Sequence, residues 1–328
     1  MFDALLIVSF GGPEGPDDVI PFLQNVTRGR NIPPERLREV AEHYLRFGGV
    51  SPINAQCRDL IQKLTAEFAQ HHLPLPIYWG NRNWHPLLTD VVRGMRDDGI
   101  RRALAFITSP YSSYSSCGQY LDDIARAREI VGTDAPEVQR LRHYFDHPGF
   151  IEPLARNVAA ALAATGDDEP ALLYSAHSIP MAMARVSDYE AQLREVARLV
   201  TECGAPGHRW KLVWQSRSGP PSVPWLEPDV GDVLTTLAAA GTRAVVVAPI
   251  GFISDHMEVV FDLDVQAAER AAALGLRFVR AATAGAAPEF VTMIRELVTE
   301  RIEPSTPRRA LGRLGLRPEC AAGCCLPR

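Results

Sequence analysis

Short apolar runs alternate along this chain with longer segments whose apolar residues recur at helical spacing. The apolar runs have the length of β-strands and are rich in Val, Ile, Leu and Phe. We predict strands at Ala4–Phe10, Leu75–Trp79, Ala103–Thr108, Glu137–Leu141, Ala171–Ser175, Lys211–Trp214, Ala244–Pro249 and Arg277–Arg280. Strands that alternate with helices predict an α/β fold in which parallel sheets are covered on both faces.

Two of the helical segments show clear apolar stripes. The first comprises Ile53, Cys57, Leu60, Ile61, Leu64 and Phe68, and the second comprises Leu193, Val196, Val200 and Cys203. Residues at these spacings lie on one face of a helix and turn towards a core. We therefore expect Cys57 and Cys203 to be small buried side chains.

The two halves of the chain resemble each other. Residues 4–13 read ALLIVSFGGP and residues 171–180 read ALLYSAHSIP, while WGNR at 79–82 resembles WQSR at 214–217. The matches keep their order but lie closer together in the second half, so the first half carries an insertion between Gly12 and Pro74. We predict two similar α/β lobes at residues 1–150 and 151–303, followed by a tail at 304–328.

Composition and charge narrow the class of protein. The chain has 328 residues, of which 46% are hydrophobic and 22% charged, and its formal charge is 34 − 39 = −5. This balance suits a globular protein and argues against binding to nucleic acid. No apolar run reaches the length of a membrane span, and Met1–Phe10 lacks the basic start of a signal peptide. We expect a cytoplasmic protein without a transmembrane anchor, present as a monomer.

Three unusually polar loops follow predicted strands. They are Ser109–Gln119, Ser175–Ser178 and Gly251–Glu258. Open α/β sheets bind their ligands at the carboxyl ends of the strands. We therefore predict that these loops form a binding cleft between the two lobes.

Two of these loops carry side chains suited to proton and metal chemistry. His177 lies at the end of a predicted strand, where the first half has Phe10. Such a histidine could instead simply cap backbone carbonyls. Glu258 opens a segment in which Asp262, Gln266 and Glu269 follow at spacings of four, four and three, placing them on one helical face. A solvated helix face is the common reason for such a column, but the surrounding apolar residues favour a buried path for a cation or protons.

At this point several segments together resemble the ferrochelatases, which insert ferrous iron into a porphyrin. The segments are Leu5–Pro13, Arg46–Pro52, Ser175–Pro180, Trp214–Arg217, Pro224–Leu226 and Ser254–Asp264, and they occur in order over nearly the whole chain. The resemblance implies a chelatase-like fold of two Rossmann-like lobes around one porphyrin cleft. It also implies a lyase that takes Fe²⁺ as substrate.

The resemblance assigns roles to individual residues. His177 matches the histidine of the family motif, and Glu258 matches a glutamate that we expect to face it across the macrocycle. Both would contact the incoming Fe²⁺ or accept pyrrole protons, because a neutral imidazole and a carboxylate can each do so. Asp262 and Glu269 would continue a metal or proton path towards solvent.

Three further residues match positions that bind the macrocycle in related enzymes. Ser51 and Tyr120 would contact the porphyrin, and Arg28 would pair with a propionate. The alternatives are a helix N-cap for Ser51, a core tyrosine for Tyr120 and a surface charge for Arg28. Bacillus-type relatives have a tyrosine where this chain has Phe10, so Tyr120 becomes the candidate for any axial contact to the product.

Four cysteines lie outside the apolar stripes: Cys117, Cys320, Cys324 and Cys325. The last three follow a Pro-, Gly- and Arg-rich stretch that has little reason to order itself unless something holds it. Four thiolates could hold either zinc or a [2Fe–2S] cluster. The resemblance favours the cluster, because animal and actinobacterial ferrochelatases carry one on one internal and three C-terminal cysteines.

The substrate interpretation has alternatives. The actinobacterial character of the tail favours coproporphyrin III, whose four propionates suit a water-soluble enzyme, and protoporphyrin IX is the second candidate. A cobalt or nickel chelatase acting on sirohydrochlorin, or a non-enzymatic haem-binding protein, would keep a similar scaffold. A later enzyme of the haem pathway is a possible partner that would receive the product.

Overall fold

The computed structural model describes residues 2–29, 32–166 and 169–315. Its strands are β1 (Ala4–Ser9), β2 (Ile77–Asn81), β3 (Arg102–Ile107), β4 (Glu137–Arg140), β5 (Ala171–His177), β6 (Trp210–Gln215), β7 (Ala244–Ala248) and β8 (Arg277–Arg280). Every predicted strand is present. The largest differences are that β2 begins and ends two residues later than predicted and that β5 runs on to include His177.

The helices connect these strands. They are α1 (Pro16–Val26), α2 (Pro34–Leu45), α3 (Ile53–Gln70), α4 (Leu88–Asp97), α5 (Gln119–Val131), α6 (Pro148–Ala164), α7 (Met181–Ala184), α8 (Tyr189–Gly204), α9 (Val230–Ala239), α10 (Met257–Val259), α11 (Ala268–Ala273) and α12 (Pro288–Ile302). Two π-helical segments, Tyr114–Gly118 and Val260–Ala267, lead directly into α5 and α11. None of the helices in the described ranges is long and apolar enough to cross a membrane.

The strands form two four-stranded parallel sheets with the same order. The first runs β2-β1-β3-β4 and the second runs β6-β5-β7-β8. Each position in one sheet therefore has a counterpart in the other, as the internal resemblance of the sequence predicts. The α/β fold with two similar lobes is confirmed.

The described residues divide into two compact units that do not follow a single cut in the sequence. The first comprises described residues of 2–108, 120–141 and 301–304, and the second those of 109–119, 142–300 and 305–315. The predicted boundaries at 150 and 303 stay predictions, as does the cleft between lobes.

In the first unit, one face of the sheet packs on α4 and α5. Alternate residues of β1 and β3 meet Val92 and Met95 of α4 and Ile124 of α5. Cys57 of α3 is buried, as predicted, and its thiol donates to the Ser9 hydroxyl at 3.3 Å. The insertion between Gly12 and Pro74 contains α1 and α2, whose contact surface centres on the fully buried ring of Phe22.

In the second unit, one face of the sheet packs on α9, the second π-helical segment and α11. Val245 and Val247 of β7 meet Leu234 of α9 and Leu263 of the π-helical segment. Helix α8 packs against α6. Cys203, near the end of α8, is exposed, so its predicted burial was wrong: the apolar stripe stops short of the last turn.

Candidate active site

His177 stands at the carboxyl end of β5, in the second unit. It is paired in register with Gln215, the last residue of β6. Its Nδ1 lies 2.5 Å from the carbonyl oxygen of Ser178. Because a carbonyl oxygen can only accept, Nδ1 carries a proton and Nε2 is the ring atom left for chemistry. About 30% of the side chain is exposed.

Glu258 lies in the loop and short helix that follow β7, and its carboxylate approaches His177. The distance from Glu258 Oε1 to His177 Nε2 is 3.6 Å, and 48% of the Glu258 side chain is exposed. The side-chain amide of Gln215 donates to the Glu258 carbonyl oxygen at 3.0 Å. The ends of β5 and β6 and the loop after β7 thus meet at one point, as parallel strands permit.

This distance corrects the prediction that His177 and Glu258 face each other across a macrocycle. A flat ring lying between two atoms keeps each of them at a contact distance of about 3.5 Å, so they would be about 7 Å apart. At 3.6 Å no porphyrin fits between the two side chains. We therefore expect both side chains to meet a bound macrocycle from the same face.

The two groups hold opposite charges. Burial opposes the charged imidazole, but the Glu258 carboxylate outweighs it and raises the pKa of His177. Burial likewise opposes the carboxylate, but the His177 imidazole outweighs it and lowers the pKa of Glu258. The pair therefore holds one proton at neutral pH, which resides on His177.

A second histidine contacts the same carboxylate. His256 Nδ1 accepts from the backbone N–H groups of Glu258 and Val259 at 3.1 and 3.3 Å, which caps the short helix α10. Its Nε2 lies 3.9 Å from Glu258 Oε2, and burial is the main cause that lowers the pKa of His256. Glu258 is thus flanked by two imidazoles. Sequence reasoning missed His256, because histidine is not among the residues that usually cap a helix.

Asp262 lies on the π-helical segment behind Glu258. Its carboxylate accepts a hydrogen bond from the Ser216 hydroxyl. Burial is the main cause that raises the pKa of Asp262 to about 6. The Ser216 hydrogen bond opposes this rise, and the negative charge of Glu258 adds to it. The WQSR segment therefore supplies two residues that the sequence reading left without a role: Gln215 holds the Glu258 backbone and Ser216 holds Asp262.

The acidic column is present but is not buried. Asp262, Gln266 and Glu269 all line a cavity of about 420 Å³, together with Asp229, Asp232 and Arg270. Gln266 and Glu269 are exposed, whereas the intervening Leu263 is buried. The expectation of a buried column was therefore wrong for Gln266 and Glu269, whereas Asp262 is half-buried. The i→i+5 hydrogen bonds of the segment Val260–Ala267 widen its turns relative to an α-helix, a distortion often found at functional sites.

The residues predicted to bind a macrocycle belong to the first unit. Ser51 is 4% exposed and precedes Pro52, the residue that caps α3, so Ser51 is not that helix's N-cap. Tyr120 is 5% exposed, and the Arg82 guanidinium lies 4.5 Å from its ring centroid and 5.8 Å from that of Phe10. Arg28 is exposed in the turn after α1. Their roles in substrate binding stay predictions.

Of the four predicted cluster ligands, the structure describes Cys117 alone. It lies in the first π-helical segment, is 1% exposed, and its thiol donates to the Ser113 carbonyl oxygen at 3.4 Å. Cys320, Cys324 and Cys325 lie outside the described residues. Within the described ranges, no group of three or more His, Cys, Asp and Glu side chains is arranged to hold a metal ion.

Comparison with known proteins fits this geometry. Residues 2–302 match the protein family described as Ferrochelatase. The chain belongs to the ferrochelatase family. A coproporphyrin III ferrochelatase of Mycolicibacterium smegmatis is 54% identical over 318 residues, covering 95% of this chain and 93% of that protein. A ferrochelatase of Rhodopirellula baltica is 54% identical over 331 residues, covering 99% and 93%.

Solved structures agree on the fold of this ferrochelatase family member. SirB from Bacillus subtilis with Fe³⁺ superposes with a TM-score of 0.57 at 10% identity, covering 93% of this chain and 99% of that chain. CbiX, described as the terminal enzyme of sirohaem biosynthesis in denitrifying bacteria, superposes with a TM-score of 0.53 at 15% identity, covering 90% and 98%. At these identities the likeness concerns the fold alone.

Proposed function

We propose that this protein inserts Fe²⁺ into coproporphyrin III. The observation that carries the proposal is the His177–Glu258 pair, which sets two basic groups 3.6 Å apart on one side of the substrate. Metal insertion must remove two pyrrole protons: Glu258 is free to accept one, and His177 can accept the other once it has released the proton that it holds at rest. The name of the Mycolicibacterium smegmatis relative, at 54% identity, supports the choice of coproporphyrin III.

The resting charges set the order of proton transfer in this proposal. His177 already holds a proton on Nε2, so the Glu258 carboxylate is the free base that meets the first pyrrole proton. His177 becomes an acceptor, or a ligand for Fe²⁺, once its own proton leaves. Asp262 and the polar cavity with Gln266 and Glu269 give protons a way to solvent, and the carboxylates of Asp262 and Glu269 also suit an incoming cation.

Anaerobic insertion assays test the proposal. Purified protein is incubated with Fe²⁺ and either coproporphyrin III or protoporphyrin IX, and metalation is followed by absorption spectroscopy. We expect turnover with both pyrrole protons released and a preference for coproporphyrin III. Absence of insertion into either porphyrin contradicts the function, and a preference for protoporphyrin IX contradicts the substrate. Sirohydrochlorin with Co²⁺ serves as the negative control.

We also propose that Cys117, Cys320, Cys324 and Cys325 hold a [2Fe–2S] cluster. The described part of the tail, Ser305–Gly315, supports this because it is held on the second unit. Arg309 pairs with Glu296 at 2.8 Å, and the Leu311 N–H donates to the Asp146 carbonyl oxygen at 2.9 Å. The tail is thus held on the second unit by contacts of Arg309 and Leu311.

The described end of the tail shares a cavity with Gln192, a residue that bonds the loop containing Cys117. Leu314 and Gly315 line a cavity of about 60 Å³ together with Gln192. The side chain of Gln192 in turn accepts from the Ser112 N–H at 2.8 Å. Cys320 follows Gly315 by five residues in the sequence, a reach of at most about 17 Å. Cys324 and Cys325 are adjacent in the sequence, which is not the spacing of a zinc finger. Together with the buried thiol of Cys117, they fit an iron–sulfur cluster better than a zinc site.

Metal analysis tests the cluster. Protein purified without oxygen should be brown and contain about two irons and two acid-labile sulfides per chain. Cys117→Ser should remove the colour, whereas Cys203→Ser, which changes an exposed cysteine, should keep it. Colourless wild-type protein with one zinc per chain contradicts the proposal.

A further inference from the structure

Two buried tyrosines lie next to the candidate active site and have no part in the chemistry described above. Tyr111 belongs to the polar loop Ser109–Gln119 and is 1% exposed, and Tyr189 is the first residue of α8 and is 3% exposed. Both belong to the second unit. Burying a phenol removes its hydroxyl from water, so the hydroxyl needs a hydrogen-bond partner within the protein. That partner identifies the group that the tyrosine fixes.

Each hydroxyl donates to the backbone at the base of one loop of the active site. The Tyr189 hydroxyl donates to the carbonyl oxygen of His177 at 3.0 Å. The Tyr111 hydroxyl donates to the carbonyl oxygen of Ile250 at 2.6 Å, directly before the loop that leads from Gly251 to Glu258. The two tyrosines therefore fix the two backbone segments whose side chains form the 3.6 Å pair.

The two tyrosine rings also pack against each other. Their rings meet edge to face, with centroids 5.9 Å apart and planes at 88°. Gln192, one turn along α8 from Tyr189, accepts from the Ser112 N–H beside Tyr111. Loop Ser109–Gln119 and the start of α8 are thus joined by a ring contact and a hydrogen bond.

The chemistry of a phenol suits this positioning role. Burial raises the pKa of both hydroxyls, so they stay neutral donors across the working pH range. Loss of a hydroxyl would leave a buried carbonyl without its donor and free the segment to shift.

We propose that Tyr111 and Tyr189 are positioning residues that hold His177 and Glu258 at their working distance and connect both to the loop containing Cys117. This inference rests on the proposed function for its kinetic test. It assigns the polar loop Ser109–Gln119 a task in catalysis without contact between that loop and the reacting atoms. A change in the packing around Cys117 would then shift both catalytic side chains, because the hydrogen bonds of the two tyrosine hydroxyls join that loop to their backbone segments.

Tyr→Phe variants test the proposal because they remove only the hydroxyl. Tyr111→Phe and Tyr189→Phe should each lower kcat by about tenfold or more while leaving the porphyrin KM unchanged, since small misplacements of reacting groups cost that much. The matched control is Tyr174→Phe. Tyr174 is also fully buried, and its hydroxyl bonds the Thr201 hydroxyl at 2.8 Å, away from both loops.

Hydrogen exchange gives a second readout that does not depend on activity. We expect faster backbone exchange over residues 250–258 in Tyr111→Phe and over 177–179 in Tyr189→Phe, with melting temperatures no lower than that of Tyr174→Phe. Rates, KM and exchange equal to those of the control variant would overturn the proposal. A wild-type protein without insertion activity would contradict the proposed function alone, and the exchange data would still decide the role of the tyrosines.

Discussion

His177 Nε2 and Glu258 Oε1 lie 3.6 Å apart, too close for a flat macrocycle to lie between them. The histidine ends strand β5, and the glutamate follows strand β7. Their opposite charges stabilise a resting state with one shared proton. In the proposed reaction Glu258 accepts the first pyrrole proton and His177 serves as an acceptor after its own proton has left, with the polar cavity around Asp262 behind them.

Replacing His177 tests its part in the reaction. His177→Ala should lower kcat for Fe²⁺ insertion by about 10³-fold, because a positioned acid–base group contributes 10²–10⁴-fold. Porphyrin affinity, measured by fluorescence quenching, should stay within about twofold. The control is His208→Ala, since His208 binds the Pro170 carbonyl oxygen at 2.8 Å and has no place in the site. Insertion at the wild-type rate in His177→Ala would contradict the assigned role.

The charge of Glu258 should be visible in the titration of His177. Removing the carboxylate in Glu258→Gln takes away the attraction that raises the pKa of His177, so this pKa should fall towards its ordinary value or below it. NMR titration of the imidazole C–H resonances measures the change. The variant should also insert iron more slowly, by at least about 10²-fold. An unchanged His177 pKa would show that the pair does not form in solution.

Asp262 should make the rate of iron insertion fall at acid pH. Its pKa is raised to about 6, so its negative charge is present above that pH and is lost as the pH falls through it. If the carboxylate carries protons or iron, kcat should decline below about pH 6 in the wild type. Asp262→Asn should show a low rate without this step, whereas Asp59→Asn on the exposed side of α3 should keep the wild-type profile. A wild-type acid limb that persists in Asp262→Asn would exclude Asp262 as its source.

The buried ion pair of Arg142 and Glu300 should matter for stability. Their side chains are 5% and 4% exposed and make two hydrogen bonds of 2.8 and 2.9 Å. Glu300→Gln should lower the free energy of unfolding by about 3 kcal/mol, because it leaves a buried charge without its partner. Urea denaturation measures the loss. Glu39→Gln, which breaks the exposed pair with Arg36, should cost under about 1 kcal/mol. Equal effects of the two variants would contradict the prediction.

Much of the fold could be predicted from the sequence because it depends on local patterns. Strands such as Ala4–Ser9 and Ala244–Ala248 are continuous apolar runs, which only a sheet covered on both faces can bury. The internal resemblance predicts two sheets of the same strand order, because similar segments occur in the same order in both halves. The end of a stripe was harder to predict: Cys203 fits the helical spacing but lies beyond the surface that α8 buries.

The sequence by itself also predicted which residues would carry the chemistry, because the family resemblance points to His177 and Glu258, which lie at the carboxyl-end edge of a parallel sheet. Only the tertiary structure decided how they meet. Their distance, and hence their position on one face of the substrate, depends on Gln215, Tyr111 and Tyr189, which hold backbone groups far from themselves in the sequence. Such contacts leave no periodic pattern. Spacing along a chain predicts which face a side chain occupies, whereas the separation of two side chains is set by the packing of every element between them.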